Sequence, residues 1–218
     1  MVVSNHDEWA KGSSSHGTNV LAQNNSITET PDIKKRLKEI IKKKSLQFGN
    51  FTLASGAKSK YYFDLRKSTL DPEGSYLIGR LIYSLLRKKG IMAVGGLTMG
   101  ADPISTSVAI ISHLNGDPIP AFLVRKEKKK HGTQKLIEGN PVVDKVVAIV
   151  DDVVTKGDSV IRAIEAAVES GAKVKMVITL VDRMQDGRKK LEEVAKKLSQ
   201  DYKYEPIFTI EDFGIRPD

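Results

Sequence analysis

Two adjacent carboxylates follow an apolar run in the middle of the chain. The run Val146–Val150 has no polar alternation, which is typical of a strand buried on both faces of a sheet, and the pair Asp151-Asp152 comes directly after it. The next residues include Thr155, Gly157 and Ser159. Because ligands of an open parallel sheet bind beyond the carboxyl ends of its strands, we predict a binding site where this strand ends at the acidic pair.

A helix that begins directly after this loop would add groups that suit a phosphate. The first N–H groups of a helix lack partners within the helix and form the positive end of its dipole. Gly157 lets the backbone approach a ligand, and the Thr155 and Ser159 hydroxyls add donors. The carboxylates could accept from sugar hydroxyls or from water on a metal ion, so the segment predicts a ligand with phosphate, sugar and Mg²⁺. In the alternative interpretation, Asp158 is only a helix cap and the acidic pair is a solvated strand end.

A basic segment is the second candidate for chemistry. Residues Arg125–His131 include five Lys or Arg and one Glu, a local net charge of +4, and Gly132 follows. Such a segment after a strand indicates a mobile loop, which could close over a pyrophosphate and stabilise the charge that develops as it leaves. A run of lysines is also compatible with a solvated surface.

The elements that would position these residues alternate along the chain. A strand–turn–strand element over Phe48–Phe63 comes before this alternation, and residues 1–30 have no sustained apolar period. We predict a disordered tail over residues 1–30 and one α/β domain over 31–218, with a central, mainly parallel sheet flanked by helices. Strand-like runs are Ile91–Gly95, Pro120–Val124, Lys145–Val150, Lys173–Val181 and Pro206–Ile210, and helix-like runs are Ile33–Ile41, Leu77–Leu86, Pro103–Leu114, Ser159–Ser170 and Asp186–Leu198.

Composition limits the class of protein and partner. The 218 residues carry a net charge of +8, and residues 31–218 hold 34 cationic and 24 anionic side chains, a net charge of +10. This excess suggests a polyanionic partner: nucleic acid, anionic lipid or a phosphorylated metabolite. The absence of cysteine excludes disulfides and cysteine-based zinc sites. No apolar run is long enough to span a bilayer and no secretory pattern opens the chain, so a cytoplasmic location is expected.

The acidic segment resembles a known signature for binding a phosphorylated sugar. The sequence DDVVTKGDS is similar to the phosphoribosyl pyrophosphate (PRPP) signature of type I phosphoribosyltransferases, whose fold adds a small N-terminal hood to the sheet. The resemblance implies that the loop backbone holds the 5′-phosphate and that the acidic pair reaches the ribose hydroxyls. Asp158 departs from the pattern, since a small neutral residue is common there. The implied PRPP contacts are Asp151, Asp152, Val153, Val154, Thr155, Lys156, Gly157, Asp158 and Ser159.

The basic segment resembles the R-K-x-x-K-x-H-G loop of orotate phosphoribosyltransferases in particular. The resemblance implies that Arg125, Lys126, Lys129 and His131 contact PRPP. It also implies that the loop reaches the active site of the neighbouring subunit, so that a homodimer is the working unit.

Two further segments agree with that family. Phe51–Phe63 resembles its F-T-L-x-S-G-x-x-S-x-Y element, which implies that Tyr62 and Phe63 lie near the base. Asp182 and Arg183 match its D-R motif, which implies that Arg183 pairs with the orotate carboxylate, and Thr155 is expected to touch the base as well. The sequence departs from the family at three positions. Ala54 and Gly100 stand where many members have Lys, and Met99 stands where Tyr is frequent. Lys58 is a possible replacement for the missing lysines.

The resemblance implies an enzyme of pyrimidine (UMP) biosynthesis, a pentosyltransferase that converts orotate and PRPP to orotidine 5′-phosphate and pyrophosphate. Lys129, Asp152 and His131 are the expected catalytic residues, with Mg²⁺ held mainly by PRPP and water. One rival hypothesis is a purine phosphoribosyltransferase, although a neutral purine offers Arg183 no carboxylate. Another is a PRPP-sensing regulator, but no nucleic-acid-binding module is visible. We therefore expect neither nucleic acid nor membrane as a partner.

Overall fold

The computed structural model describes residues 30–52, 56, 58–127 and 136–217. The predicted tail, apart from Thr30, lies outside the described residues. In chain order the elements are α1 (Thr30–Lys44), β1 (Leu46–Thr52), β2 (Lys58–Phe63), α2 (Arg66–Thr69), α3 (Pro72–Leu86), β3 (Ala93–Leu97), α4 (Ala101–Leu114), β4 (Ala121–Val124), β5 (Ile137–Gly139), β6 (Val146–Val154), α5 (Asp158–Glu169), β7 (Lys173–Asp182), α6 (Gly187–Lys197), β8 (Lys203–Thr209) and a final 3-10 helix (Ile210–Phe213).

Six strands form the central sheet in the order β5-β4-β3-β6-β7-β8. Strands β4, β3, β6, β7 and β8 pair in parallel, and β5 pairs antiparallel with β4 at one edge. The predicted α/β class with a mainly parallel sheet is therefore confirmed. Strand β5 was not predicted because three residues are too short to show a hydrophobic period.

Strand β6 is buried on both faces, as its sequence predicts. Ala148 and Val150 pack in a cluster with α1, α3 and α4, whereas Val147 and Ile149 pack with α5 on the other face. The predicted end of this strand was wrong, because β6 pairs with β7 as far as Val154. The acidic pair therefore lies inside the last part of the strand.

The N-terminal elements attach to the sheet through α1 and α3. Helix α3 begins at Pro72, and the Asp71 side chain caps it by accepting from the Gly74 N–H at 2.9 Å. Arg36 of α1 donates from Nε to Glu73 Oε1 at 2.7 Å. Strands β1 and β2 form a separate antiparallel hairpin, which is the hood.

The predicted strand Pro206–Ile210 needed correction at both ends. Strand β8 covers Lys203–Thr209, and Ile210 already belongs to the 3-10 helix. A capping interaction ends the strand, because Asp212 Oδ2 accepts from the Thr209 N–H at 2.8 Å. In the described part of the chain, no helix is long and apolar enough to cross a membrane.

Candidate active site

The acidic pair is enclosed by donors from its own segment. Asp151 is 5% exposed, and its Oδ2 accepts from Ser159 Oγ at 2.6 Å while its Oδ1 accepts from the Asp152 N–H at 3.0 Å. Asp152 is half-buried, and its Oδ1 accepts from the Val153 N–H at 2.8 Å. Both oxygens of Asp151 thus accept from N–H or O–H groups of the described residues.

Burial makes the negative charge of this pair costly. Loss of solvent raises the pKa of Asp151 to about 7, and the neighbouring charge of Asp152 adds to the effect. Burial likewise raises the pKa of Asp152. Two adjacent carboxylates of this kind become favourable as anions when a ligand brings hydroxyl donors or a cation.

Helix α5 presents an uncapped N-terminus beside the pair. Gly157 is its N-cap with a φ of 82° and, as a glycine, has no side chain that could accept from the first turn. Thr155 is half-buried and Lys156 is exposed. The alternative role of Asp158 as the helix cap is wrong, because Asp158 is the first helical residue and its exposed side chain lies 3.4 Å from Lys190 Nζ. Its charge is therefore directed toward α6.

The turn between β3 and α4 touches the acidic pair from the other side. A Cβ atom at Gly100 would lie 2.5 Å from Asp151 Oδ1 and 2.9 Å from Asp152 Oδ1. Thr98 Oγ1 donates to Asp102 Oδ2 at 2.7 Å across the turn. A lysine at position 100 would therefore collide with the carboxylates in their present positions. The sequence analysis identified this turn but did not predict its contact with the acidic pair. The presence of glycine at position 100 was the one hint of such a close approach.

Arg183 follows β7 and is buried, with no anionic partner among the described residues. It is 7% exposed, and its N–H donates to the Val154 carbonyl at 2.8 Å, which fixes its backbone next to the acidic segment. Its Nε donates to Tyr61 Oη and its Nη2 to Ser59 Oγ, both at 3.2 Å. The guanidinium carbon lies 4.5 Å from the centre of the Tyr61 ring. No Asp or Glu among the described residues forms an ion pair with Arg183.

The aromatic residues of the hood divide between two faces. Phe63 is 7% exposed and packs edge-on against Phe213 at 5.2 Å between ring centres. Tyr62 is 37% exposed, with the Phe51 ring 5.6 Å away. Alternation along β2 places Tyr61 on the same face as Phe63, and Tyr61 contacts Arg183. Sequence reasoning missed Tyr61 as a site residue, although the S-x-Y spacing was its signal. Contact of Tyr62 and Phe63 with a base stays a prediction.

The start of the basic loop is described, and its middle is not. Arg125 lies 3.4 Å from Glu138 through Nη1 and Oε1. The Lys126 carbonyl accepts from Arg162 Nη2 at 2.6 Å. Lys129 and His131 lie outside the described residues, as does Ala54. Lys58 is exposed and donates to Thr52 Oγ1 at 2.9 Å within the hairpin.

Comparison with known proteins decides the family. No family model matches the chain. The chain is 44% identical over 162 residues to the orotate phosphoribosyltransferase of Aquifex aeolicus, covering 73% of this chain and 88% of that protein. The chain belongs to the orotate phosphoribosyltransferase family. The orotate phosphoribosyltransferase of a Nostoc strain is 38% identical over 205 residues, which is 92% of this chain and 96% of that protein.

A solved orotate phosphoribosyltransferase has the same fold. The Mycobacterium tuberculosis enzyme superimposes with a TM-score of 0.72 at 38% identity, covering 84% of this chain and 99% of that one. Its complex with PRPP superimposes with a TM-score of 0.67. The predicted orotate phosphoribosyltransferase resemblance, fold and pentosyltransferase class are confirmed.

Proposed function

We propose that this chain transfers the phosphoribosyl group of PRPP to N1 of orotate, giving orotidine 5′-phosphate and pyrophosphate. The observation that carries the choice of base is the buried Arg183, a cation with no anionic partner among the described residues. A buried charge is tolerated when a ligand supplies its partner, and the orotate carboxylate is such a partner. Family membership supports the same reaction.

The phosphoribosyl end of the substrate would bind the segment 151–159. The uncapped N-terminus of α5 suits the 5′-phosphate, and the Asp151 and Asp152 carboxylates suit the ribose hydroxyls. In this arrangement the two anions would also lie near the positive charge that develops at the anomeric carbon during transfer. Val153, Val154 and Lys156 complete the proposed contacts.

The basic loop would act on the leaving pyrophosphate. Arg125, Lys126, Lys129 and His131 would stabilise its charge, and we propose that the loop serves the neighbouring subunit of a homodimer. The local charge of +4 over Arg125–His131 supports this role. A cytoplasmic location stays a prediction.

Mg²⁺ fits this site as an ion that arrives with PRPP. The described residues include no group of three Asp, Glu or His side chains that could hold a metal alone. The acidic pair nevertheless offers hard oxygen donors whose charge burial makes costly, which suits a cation or its water. When bound, Mg²⁺ would neutralise charge on the pyrophosphate. The protein's own part is to orient the sugar.

The loss of orotate absorbance after addition of PRPP and Mg²⁺ tests this proposal. Arg183→Ala should reduce kcat/KM for orotate about 100-fold or more, because truncation of one partner of a buried charge pair is costly. Lys129→Ala should lower kcat by a similar factor. Arg87→Ala is the matched control, since Arg87 is an exposed arginine at the end of α3. Turnover of a purine base in place of orotate would overturn the proposal.

A further inference from the structure

The guanidinium of Arg183 is held along one edge only. Nε and Nη2 share the side edge of this planar group, and both donate to hydroxyls of the hood, Tyr61 Oη and Ser59 Oγ. The end edge consists of Nη1 and the second hydrogen of Nη2. No described residue accepts a hydrogen bond from Nη1, so the end edge remains for a ligand.

Ser59 can serve only as an acceptor for Arg183. Its hydroxyl has a single proton, which it donates to the Tyr61 carbonyl at 2.7 Å. Its lone pairs therefore face the Tyr61 N–H at 3.4 Å and Arg183 Nη2 at 3.2 Å. This arrangement fixes the hydroxyl orientation before any ligand binds.

Tyr61 restrains the same guanidinium in two ways. Its hydroxyl accepts from Nε, and its ring lies 4.5 Å from the guanidinium carbon, close enough for a cation–π contact. Tyr61 is itself 5% exposed and packs against Phe63 at 5.9 Å between ring centres. Packing within the hood thus holds the Tyr61 ring in place, and Tyr61 in turn holds the Arg183 guanidinium.

We infer that Ser59 and Tyr61 are positioning residues that turn the end edge of Arg183 toward the substrate carboxylate. This inference rests on the proposed pairing of Arg183 with orotate. The end edge can bind both oxygens of a carboxylate through two parallel hydrogen bonds. The carboxylate carbon of orotate is attached beside N1, so a fixed clamp also orients the nitrogen that attacks the sugar. The two hydroxyls therefore contribute to selection of a carboxylated pyrimidine over an uncharged one.

Steady-state kinetics of Tyr61→Phe, Ser59→Ala and the double variant test the inference. Each single change removes one hydrogen bond to a charged group and should raise KM for orotate about ten-fold. Loss of orientation should also lower kcat, while KM for PRPP should stay within about two-fold of wild type. Ser59→Thr keeps the hydroxyl and should restore KM. Tyr83→Phe is the matched control, because Tyr83 is also buried, at 8% exposed, but belongs to α3.

Inhibition by uracil distinguishes a role in positioning Arg183 from a purely structural role of these residues in the hood. Uracil lacks the carboxylate, so its inhibition constant should not change in Tyr61→Phe, whereas orotate binding weakens. An equal loss for uracil, orotate and PRPP, with a lower thermal midpoint, would overturn the inference. Arg183→Ala is measured in parallel. If wild type does not turn over orotate, the proposed function fails; if Arg183→Ala abolishes turnover but both hood variants behave as wild type, only the positioning role fails.

Discussion

The proposed phosphoribosyl end and the proposed base end of the site both bury charge, but they restrain it differently. The acidic pair is held by neighbours in sequence, since Ser159, Val153 and the pair's own backbone supply its donors. Arg183 is held by Ser59 and Tyr61, which lie 124 and 122 residues away. One end is therefore a local structure of a single strand and loop, whereas the other exists only when the hood packs on the sheet.

This difference predicts which part of the site is disturbed when one region of the fold is damaged. Damage to the hood should disturb base recognition and leave the acidic pair in place, because β6 is buried on both faces by other elements. Damage to the end of β6 should weaken PRPP binding before it affects orotate binding. Three changes at the phosphoribosyl end sharpen the comparison.

The largest expected effect is that of Asp152→Asn. Asp152 is half-buried whereas Asp151 is only 5% exposed, so the Asp152 carboxylate is the better placed of the two to meet a ribose hydroxyl. Loss of its charge should reduce kcat/KM for PRPP about 100-fold. Asp151→Asn should reduce kcat/KM for PRPP only about ten-fold, because the Asp151 carboxylate already accepts from Ser159. Initial rates at varied PRPP give both values. A larger loss in Asp151→Asn would reverse the assignment of the two carboxylates.

Gly100→Ala should have a smaller effect at the same end. The φ of Gly100 is −62°, which alanine adopts without strain, so the change acts only through the new Cβ beside Asp151 and Asp152. Displacement of these carboxylates should raise KM for PRPP about ten-fold and leave KM for orotate nearly unchanged.

Gly90→Ala is the matched control for that change. Gly90 has open space around it but a φ of 70°, so alanine should lower stability by about 1 kcal/mol through backbone strain. Kinetics for PRPP should be those of wild type. A wild-type KM in Gly100→Ala would show that the turn does not define the position of the acidic pair.

The smallest expected effect is a pH dependence of stability. The folded-state pKa of Asp151 is raised to about 7, so the folded protein holds this proton more tightly than the unfolded chain does. The resulting stabilisation is complete below about pH 4, the unfolded pKa, and is lost as the pH rises to about 7. Chemical denaturation at several pH values should show wild type losing stability relative to Asp151→Asn across this window. PRPP affinity should change in the opposite direction, since charged carboxylates accept the ribose hydroxyls. A difference that is constant with pH would contradict the assignment.

The sequence predicted the structure around the acidic pair better than the surroundings of Arg183, for a physical reason. The strand, the acidic pair and the helix start lie within fourteen residues, Val146–Ser159, and local patterns of burial and capping indicate such a unit. The end of β6 was misplaced because pairing with β7, a tertiary effect, extends the strand through two aspartates.

The partners of Arg183 could not be predicted in the same way. Nothing within its neighbourhood in the sequence indicates Ser59 or Tyr61, because their contact depends on how the hairpin docks. Alternation along β2 predicts that Tyr61 and Phe63 share a face, but not which face meets the sheet. The contact of Gly100 with the acidic pair is likewise a product of two neighbouring strand ends, and sequence spacing does not reveal it.

The backbone bond from the Arg183 N–H to the Val154 carbonyl, at 2.8 Å, joins the segments that would bind the two substrates. A second backbone hydrogen bond, from the Gly187 N–H to the Thr155 carbonyl at 3.2 Å, joins the same two segments at the residue after Val154. We therefore expect a ligand that orders one segment to restrict the other. Thermodynamic linkage makes any such cooperativity reciprocal: PRPP changes the affinity for orotate by the same factor by which orotate changes the affinity for PRPP.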